Sequence, residues 1–254
     1  MSNDAALASI DLTTRSLRLP TVKRVSPRLA AEVARRHQTH LDFLAAVLLC
    51  ETDDRDERRR LRRVKAARFP RTKLLAEFDF AQSPSVNPAS VATLEGGGYL
   101  SVGEPVVLLG DSGTGKSHLL IGLGMAACEQ GHSVRYVTCA QLVNELAEAA
   151  DERRLAKLVA RYGRVDLLLL DELGYVKLDT RGAELLFQIL TEREERSSIA
   201  TASNLPFSEW GKVISDARLV AAIIDRLTFN AHIIETGTES YRLKSTQARR
   251  AKKS

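Results

Sequence analysis

The residues of this chain with the clearest chemical purpose form a glycine-rich segment at positions 110–117. Every position fits the pattern G-x-x-x-x-G-K-[ST], whose backbone N–H groups cradle the phosphates of a nucleoside triphosphate. The glycines permit close backbone approach, the lysine reaches the β- and γ-phosphates, and the serine hydroxyl is a ligand for Mg²⁺. The predicted phosphate-binding residues are Gly110, Asp111, Ser112, Gly113, Thr114, Gly115, Lys116 and Ser117.

The sequence on either side of this segment favours a phosphate loop over a chance glycine-rich turn. Residues 105–109 are apolar and predict a strand, and residues 118–121 begin an apolar helix. A strand, a tight loop and a helix that starts near Lys116 direct several N–H groups and the positive helix end at one point. A phosphate group is the natural ligand of such a point.

A pair of carboxylates follows a second apolar run. Residues 165–170 read as a fully buried parallel strand that ends in Asp171 and Glu172. Asp171 is predicted to hold Mg²⁺ through water, and Glu172 to orient and activate the water that attacks the γ-phosphate. Taken alone, Asp-Glu after an apolar run could also be a helix start or a polar turn. Because no Asn-Lys-x-Asp tetrad for guanine occurs, ATP is the favoured nucleotide.

Two further side chains are candidates for catalysis. Asn204 follows the predicted strand 198–203, where its amide could contact the γ-phosphate or the attacking water, although Asn is also an ordinary turn residue. Arg226 could be an arginine finger for the nucleotide of a neighbouring subunit. Arg218 is the alternative finger, and a local surface pair between Asp225 and Arg226 is the structural alternative.

The elements that must position these residues alternate between strands and helices from about residue 91. This alternation predicts an α/β fold in which helices flank a parallel sheet through right-handed crossovers. The strands are expected at 105–109, 133–138, 165–170, 198–203 and 231–235. The helices are expected near 116–130, 140–149, 152–162, 181–195 and 215–228.

The first part of the chain predicts a separate, basic helical domain. Leucines at helical spacing, among them Leu41, Leu44 and Leu48, predict a small bundle, and Thr39 could cap the helix that they begin. Residues 1–68 form this predicted domain, residues 69–90 a linker rich in Pro, Ser and Asn, residues 91–244 the ATPase domain, and residues 245–254 a basic tail.

Charge is segregated along the chain and points to a polyanion partner. Residues 1–75 carry 17 Lys and Arg against 9 Asp and Glu, residues 76–241 carry 14 against 23, and residues 242–254 carry 6 against none. Both ends are therefore basic, which indicates nucleic acid. The arginine-rich segment 55–68 could follow a phosphate backbone; alternatively, it is an exposed helix with internal ion pairs.

The predicted compartment is the cytoplasm. Cys50, Cys128 and Cys139 lack C-x-x-C spacing, as is typical of proteins in a reducing compartment. No apolar run approaches the length that spans a bilayer, and the N-terminus lacks the pattern of a signal peptide. The sequence therefore predicts a soluble protein with no membrane partner.

Several motifs together resemble the IstB-like transposition helper ATPases of insertion sequences, over nearly the whole chain. The resemblance rests on the phosphate loop with His118-Leu119, Arg68-Phe-Pro70, Phe78-Asp-Phe80, Leu170-Asp-Glu-Leu-Gly-Tyr175, Ala202-Ser-Asn-Leu-Pro-Phe-Ser208 with Trp210, Asp225-Arg-Leu227 and Glu239-Ser-Tyr-Arg242. These proteins and the related helicase loader DnaC belong to the initiator clade of the AAA+ ATPases. The resemblance implies strand order 5-1-4-3-2, an asparagine sensor at Asn204, and Arg226 acting across subunits.

The resemblance also implies a function: an ATP-dependent homo-oligomer that binds double-stranded target DNA and stimulates an IstA-like transposase. Too few residues follow the strand at 231–235 for the helical lid of many AAA+ proteins, so the second sensor arginine is missing from its usual place. Two alternatives share the ATPase core. One is a DnaC-like helicase loader, and the other is a DNA-coating protein in which ATP only licenses assembly.

Overall fold

The structure, a computed structural model, describes residues 3–241 and divides into two compact units, Met1–Arg62 and Arg63–Ser254. Arg242 of the last motif, the end of the predicted ATPase domain and the predicted basic tail lie outside the described residues. Within the described part of the chain, no helix combines the length and the apolar character needed to cross a bilayer.

The first unit consists of helices α1 (Asn3–Ser16), α2 (Pro20–Arg35) and most of α3 (His40–Ala67). The buried carboxylate of Glu51 on α3 joins two of them, because it accepts hydrogen bonds from the backbone N–H groups of Thr21 (2.9 Å) and Val22 (3.1 Å) at the start of α2. These are groups that a helix cannot satisfy internally. At the start of α3, the Thr39 hydroxyl accepts a hydrogen bond from the N–H of Asp42.

The leucines of α3 differ from the expected bundle core. Val47 is buried, but Leu41 and Leu44 are 77% and 51% exposed, and Leu48 and Leu49 are also exposed. The segment is helical as predicted, but its buried residues include Val47 and Glu51 and not the leucine stripe. A regular apolar stripe does not by itself identify the buried face.

The second unit is built on a five-stranded, fully parallel sheet in the order β2-β3-β4-β1-β5. This order is the expected 5-1-4-3-2, read from the opposite edge. Each strand overlaps its predicted position within three residues at either end. The strands are β1 (Val106–Leu109), β2 (Val134–Thr138), β3 (Leu167–Leu173), β4 (Ser198–Ser203) and β5 (His232–Glu235).

Helices cover both faces of the sheet, as the apolar character of the central strands requires. In β3, Leu167 and Leu169 pack into one core while Leu168 and Leu170 pack into the other. The first core contains side chains of α4 (Pro88–Glu95), α5 (Gly98–Val102) and α6 (Lys116–Glu129). The second contains side chains of α7 (Cys139–Asp151), α8 (Leu155–Gly163), α9 (Thr180–Arg193) and α10 (Ala217–Thr228).

The segment predicted as a linker, residues 69–90, is instead part of the second unit. It forms two 3₁₀ turns, Leu75–Glu77 and Phe80–Gln82, and enters α4 at Pro88. Its side chains at positions 75, 78 and 86 are at most 8% exposed and lie in the core beside α6. The segment has few apolar residues, at no regular spacing, so its burial left no periodic signal in the sequence.

Candidate functional site

The predicted phosphate loop, residues 110–117, connects β1 to the first turn of α6 at the carboxyl edge of the sheet. Gly115 immediately precedes α6 with φ +102°, and Lys116 and Ser117 are the first two residues of the helix. The loop is therefore followed by the unpaired N–H groups and the positive end of a 14-residue helix. This arrangement is the one that binds phosphate groups in other proteins.

Two of the loop glycines are required by their neighbours as well as by their backbone angles. At Gly113, with φ +87°, a Cβ would lie 2.3 Å from the hydroxyl oxygen of Ser240. At Gly115 a Cβ would lie 2.7 Å from the ring of Phe78. Both positions also have positive φ, so a residue with a side chain would strain the backbone and clash with the neighbouring side chain.

The segment after β5, residues 236–241, forms hydrogen bonds with the phosphate loop and with the end of β1. The buried Thr236 hydroxyl donates to the carbonyl of Leu109 (3.1 Å) and is hydrogen-bonded to the hydroxyl of Thr114. The N–H of Asp111 donates to the carbonyl of Gly237, and the N–H of Tyr241 donates to that of Gly113, both at 3.0 Å. These bonds fix the loop backbone without using the N–H groups nearest α6.

Lys116 lies against its own loop. Its ammonium donates to the carbonyls of Gly110 (2.6 Å) and Asp111 (2.7 Å), and the residue is 8% exposed. The positive charge is thereby placed beside the helix start, where phosphate oxygens would be received.

A hydrogen-bonded network joins the loop to the end of β3. The Ser117 hydroxyl donates to Asp171 Oδ1 (3.2 Å), and the hydroxyl of Tyr136 on β2 donates to Asp171 Oδ2 (2.8 Å). Asp171 is only 4% exposed, so these donors hold its carboxylate in one orientation. A serine hydroxyl and a carboxylate are hard oxygen ligands, and this donor set fits Mg²⁺.

Glu172 has a different environment from its neighbour. Strand β3 continues past its predicted end at residue 170, but its pairing with β4 is irregular between Leu170 and Leu173. Glu172 adopts φ +60°, in the left-handed region that few non-glycine residues occupy, and its side chain is exposed. The irregularity therefore presents one carboxylate inside the network and the next one to solvent.

Asn204 lies between the loop and β3. The N–H of Gly110 donates to the carbonyl of Ser203 (3.3 Å), which places the end of β4 beside the loop. A Cβ on Gly174 would lie 3.1 Å from Asn204 Oδ1. That oxygen is buried and has no hydrogen-bond partner among the described residues. This oxygen is therefore available to a ligand or a water molecule at the end of β4.

Arg226 is the one predicted site residue that lies away from this group. Its guanidinium contacts Glu194 (3.3 Å) and the Thr191 hydroxyl (3.1 Å), and stacks on the ring of Phe187 at 4.2 Å. The partners of Arg226 are therefore Thr191 on α9 and Glu194 directly after it, and not Asp225, the partner in the structural alternative. Arg218 is exposed near the start of α10.

Sequence reasoning missed Tyr136 and the contacts that the segment after β5 makes with the phosphate loop. Tyr136 lies on the strand next to Asp171, two residues before Thr138, the partner of Asp171 in the sheet register. Alternate residues of a strand share a face, so the register brings its hydroxyl to the carboxylate. Only knowledge of the strand order and register could have identified it.

Replacing Tyr136 with Phe should raise the Mg²⁺ concentration needed for half-maximal ATP binding by about 10-fold or more, the value of one hydrogen bond to a charged group. The reason is that Asp171 loses one of the donors that orient it. Nucleotide binding measured across a Mg²⁺ titration checks this.

The matched control is Tyr162→Phe, since the Tyr162 hydroxyl donates to Glu145 (2.7 Å), away from the loop. An equal change in both variants would contradict a role for Tyr136 in the site.

The chain resembles known proteins over most of its length. The family described as IstB-like ATP binding protein matches residues 12–249. The ATP-binding protein assigned to insertion sequence IS21 from Pseudomonas aeruginosa is 36% identical over 216 residues, which cover 85% of this chain and 82% of that protein. The one assigned to insertion sequence IS5376 from Geobacillus stearothermophilus is 32% identical over 236 residues, covering 93% and 94%.

The fold also resembles that of solved structures. AMPPCP-bound DnaA from Aquifex aeolicus superimposes with a TM-score of 0.57 at 23% identity, covering 71% of this chain and 55% of that one. At this identity the similarity concerns the fold alone. The sheet and its helices therefore have the AAA+ fold that the sequence predicted.

Proposed function

The chain belongs to the IstB-like ATP binding protein family, and from this premise we propose that it is an ATPase that oligomerises on target DNA and assists a transposase. The observation that carries the proposal is the Ser117–Asp171 contact beside the phosphate loop, with Glu172 exposed next to it. In this proposal, the groups that bind Mg-ATP are distinct from the group that activates water.

Each predicted residue has one task in this proposal. The loop N–H groups and Lys116 bind the phosphates, while Ser117 and Asp171 hold Mg²⁺, which neutralises charge on the phosphates when bound. Glu172 orients the attacking water and accepts its proton. Asn204 contacts the γ-phosphate or that water, which gives its buried amide the partner it lacks among the described residues.

The proposed partners follow from the same family. The relatives named above are assigned to insertion sequences, which favours the transposase of the same element, of the IstA type, as the partner. Double-stranded DNA is favoured by the basic charge of the two chain ends. The homo-oligomer is proposed to assemble across the ATP sites, so that one subunit completes the site of the next.

Several arginines of α3 already have acidic partners, which bears on how this helix would contact DNA in the proposal. Arg55 and Arg58 contact the buried Glu51, Arg59 pairs with Asp56, and Arg60 pairs with Glu57. The first half of the arginine-rich segment therefore has internal acidic partners, as the structural alternative supposed. The guanidinium of Arg63 donates to the carbonyl of Cys128 (2.8 Å), so it has a packing role.

Arg62 and Lys65 are different, because both are exposed and neither has an acidic partner among the described residues. Replacing both with Ala should lower the magnitude of the slope of log affinity against log salt by up to about 0.9 for each phosphate that the protein no longer neutralises. Labelled duplex DNA titrated at several salt concentrations measures this slope.

The matched control removes the same charge from paired positions, in Arg59→Ala with Arg60→Ala. We expect a smaller change there, because these guanidinium groups already have carboxylate partners in the free protein. An unchanged slope in the Arg62 and Lys65 variant would place the DNA-binding surface on another part of the chain.

A further inference from the structure

A cavity of about 190 Å³ adjoins the phosphate loop and is lined by more positive charge than the loop itself supplies. Lys116 and Ser117 form one side of this cavity, and Arg71 and Lys73 form part of another. The last two residues come from the segment between α3 and the first 3₁₀ turn. They lie well before the loop in the sequence and belong to no phosphate-binding pattern.

The segment that carries these two cations is anchored to the loop and to α6. His118 Nε2 is hydrogen-bonded to the carbonyl of Leu74 (2.8 Å), and the His118 ring packs edge-to-face on Phe78 at 5.4 Å. The side chain of Leu75 is buried, and its tip occupies the space that a Cβ on Gly122 would need. The backbone next to the cations is therefore held in a fixed position beside the loop.

Neither Arg71 nor Lys73 has an ion-pair or hydrogen-bond partner among residues 3–241, although both line the same cavity as Lys116. These two cations repel each other and the nearby charge of Lys116 unless an anion joins them. The cavity adjoins the residues that would bind phosphate, and it includes Ser117, whose hydroxyl meets Asp171. Within a nucleoside triphosphate, the terminal phosphate carries the most negative charge. It is therefore the group that two additional cations beside the loop would attract most strongly.

We propose that Arg71 and Lys73 are phosphate-binding residues that contact the terminal phosphate of the nucleotide and so distinguish a nucleoside triphosphate from a diphosphate. The inference rests on the proposed ATP site.

The test compares the affinities of ATP and ADP for the full-length chain and for Arg71→Ala, Lys73→Ala and the double variant. We expect ATP binding to weaken by about 10-fold or more in each single variant, which is the usual effect of removing a hydrogen bond between charged groups. ADP binding should change by less than about threefold, because ADP lacks the phosphate that the two cations bind. Fluorescent analogues of both nucleotides give the two dissociation constants directly.

The matched control is Arg164→Ala, which removes an exposed arginine just before β3, at the other edge of the sheet. Equal decreases of ATP and ADP affinity, or no decrease of either, would overturn the assignment to the terminal phosphate. Weaker DNA binding with unchanged nucleotide binding would assign the two cations to DNA instead. If the wild-type chain bound neither nucleotide, the proposed function itself would fail, which is a different result from any of these.

Discussion

Lys116→Ala should weaken ATP binding by about 100-fold, near the upper end for a charge-assisted contact. Glu172→Gln should instead leave ATP binding intact and slow ATP hydrolysis. The structure separates the two side chains: Lys116 is buried against the loop carbonyls, while Glu172 is exposed on an irregular strand end. Glutamine keeps the size of glutamate but cannot accept the proton of the attacking water. Turnover should therefore fall by about 10²- to 10⁴-fold, as when a general base is removed.

Nucleotide affinity and phosphate release, measured with and without duplex DNA, test both variants. Lys157→Ala and Glu184→Gln are matched controls, because both residues are exposed on helices and neither borders the loop. If Glu172→Gln released phosphate at the wild-type rate, Glu172 would not be the residue that activates the attacking water. If the wild-type chain bound ATP but released no phosphate under any condition, the DNA-coating alternative would replace the ATPase.

The sheet of the second unit could be predicted from the sequence because its strands are buried on both faces. Strand β1 and the first four residues of β3 are continuous apolar runs, and such runs alternating with helical patterns are typical of a parallel sheet between two helical layers. The phosphate loop could be predicted for a similar reason. All of its functional groups lie within eight consecutive residues, so the local pattern contains the whole geometry.

Features formed by distant parts of the chain could not be predicted in this way. Tyr136 meets Asp171 only through the register of β2 and β3, and Ser240, far along the chain, determines the need for glycine at position 113. The composition of segment 69–90 predicts a linker because Pro, Ser and Asn are common in loops. Its few buried side chains fill gaps beside α6, which is a property of the assembled core and not of the segment.

The role of Arg226 could not be predicted from its neighbours in the sequence, because that role depends on where the fold places the end of α10. Helix α10 ends at Thr228, and β5 begins at His232 and runs parallel to β1. The end of α10 therefore lies near the amino edge of the sheet, whereas the phosphate loop follows the carboxyl end of β1. Arg226 thus lies at the opposite edge from the loop of its own chain, so it could act on a nucleotide only in another subunit.

We therefore expect Arg226→Ala to bind ATP normally but to hydrolyse it about 10³-fold or more slowly, as when an arginine finger is removed. Mixing it with Glu172→Gln protein should restore part of the activity, because some interfaces then combine an intact Glu172 with an intact Arg226. With random mixing of equal amounts, about one quarter of the interfaces in a head-to-tail assembly have this combination. Steady-state phosphate release across a range of mixing ratios measures the restoration.

Arg218→Ala is the matched control, since Arg218 is an exposed arginine near the other end of the same helix. If Arg218→Ala were inactive and Arg226→Ala were not, Arg218 would be the finger. If Arg226→Ala was inactive and mixing restored nothing, its pair with Glu194 and its stacking on Phe187 would explain the inactivity as structural. Restoration by mixing distinguishes these cases, because a packing defect in one subunit cannot be repaired by an intact arginine in another.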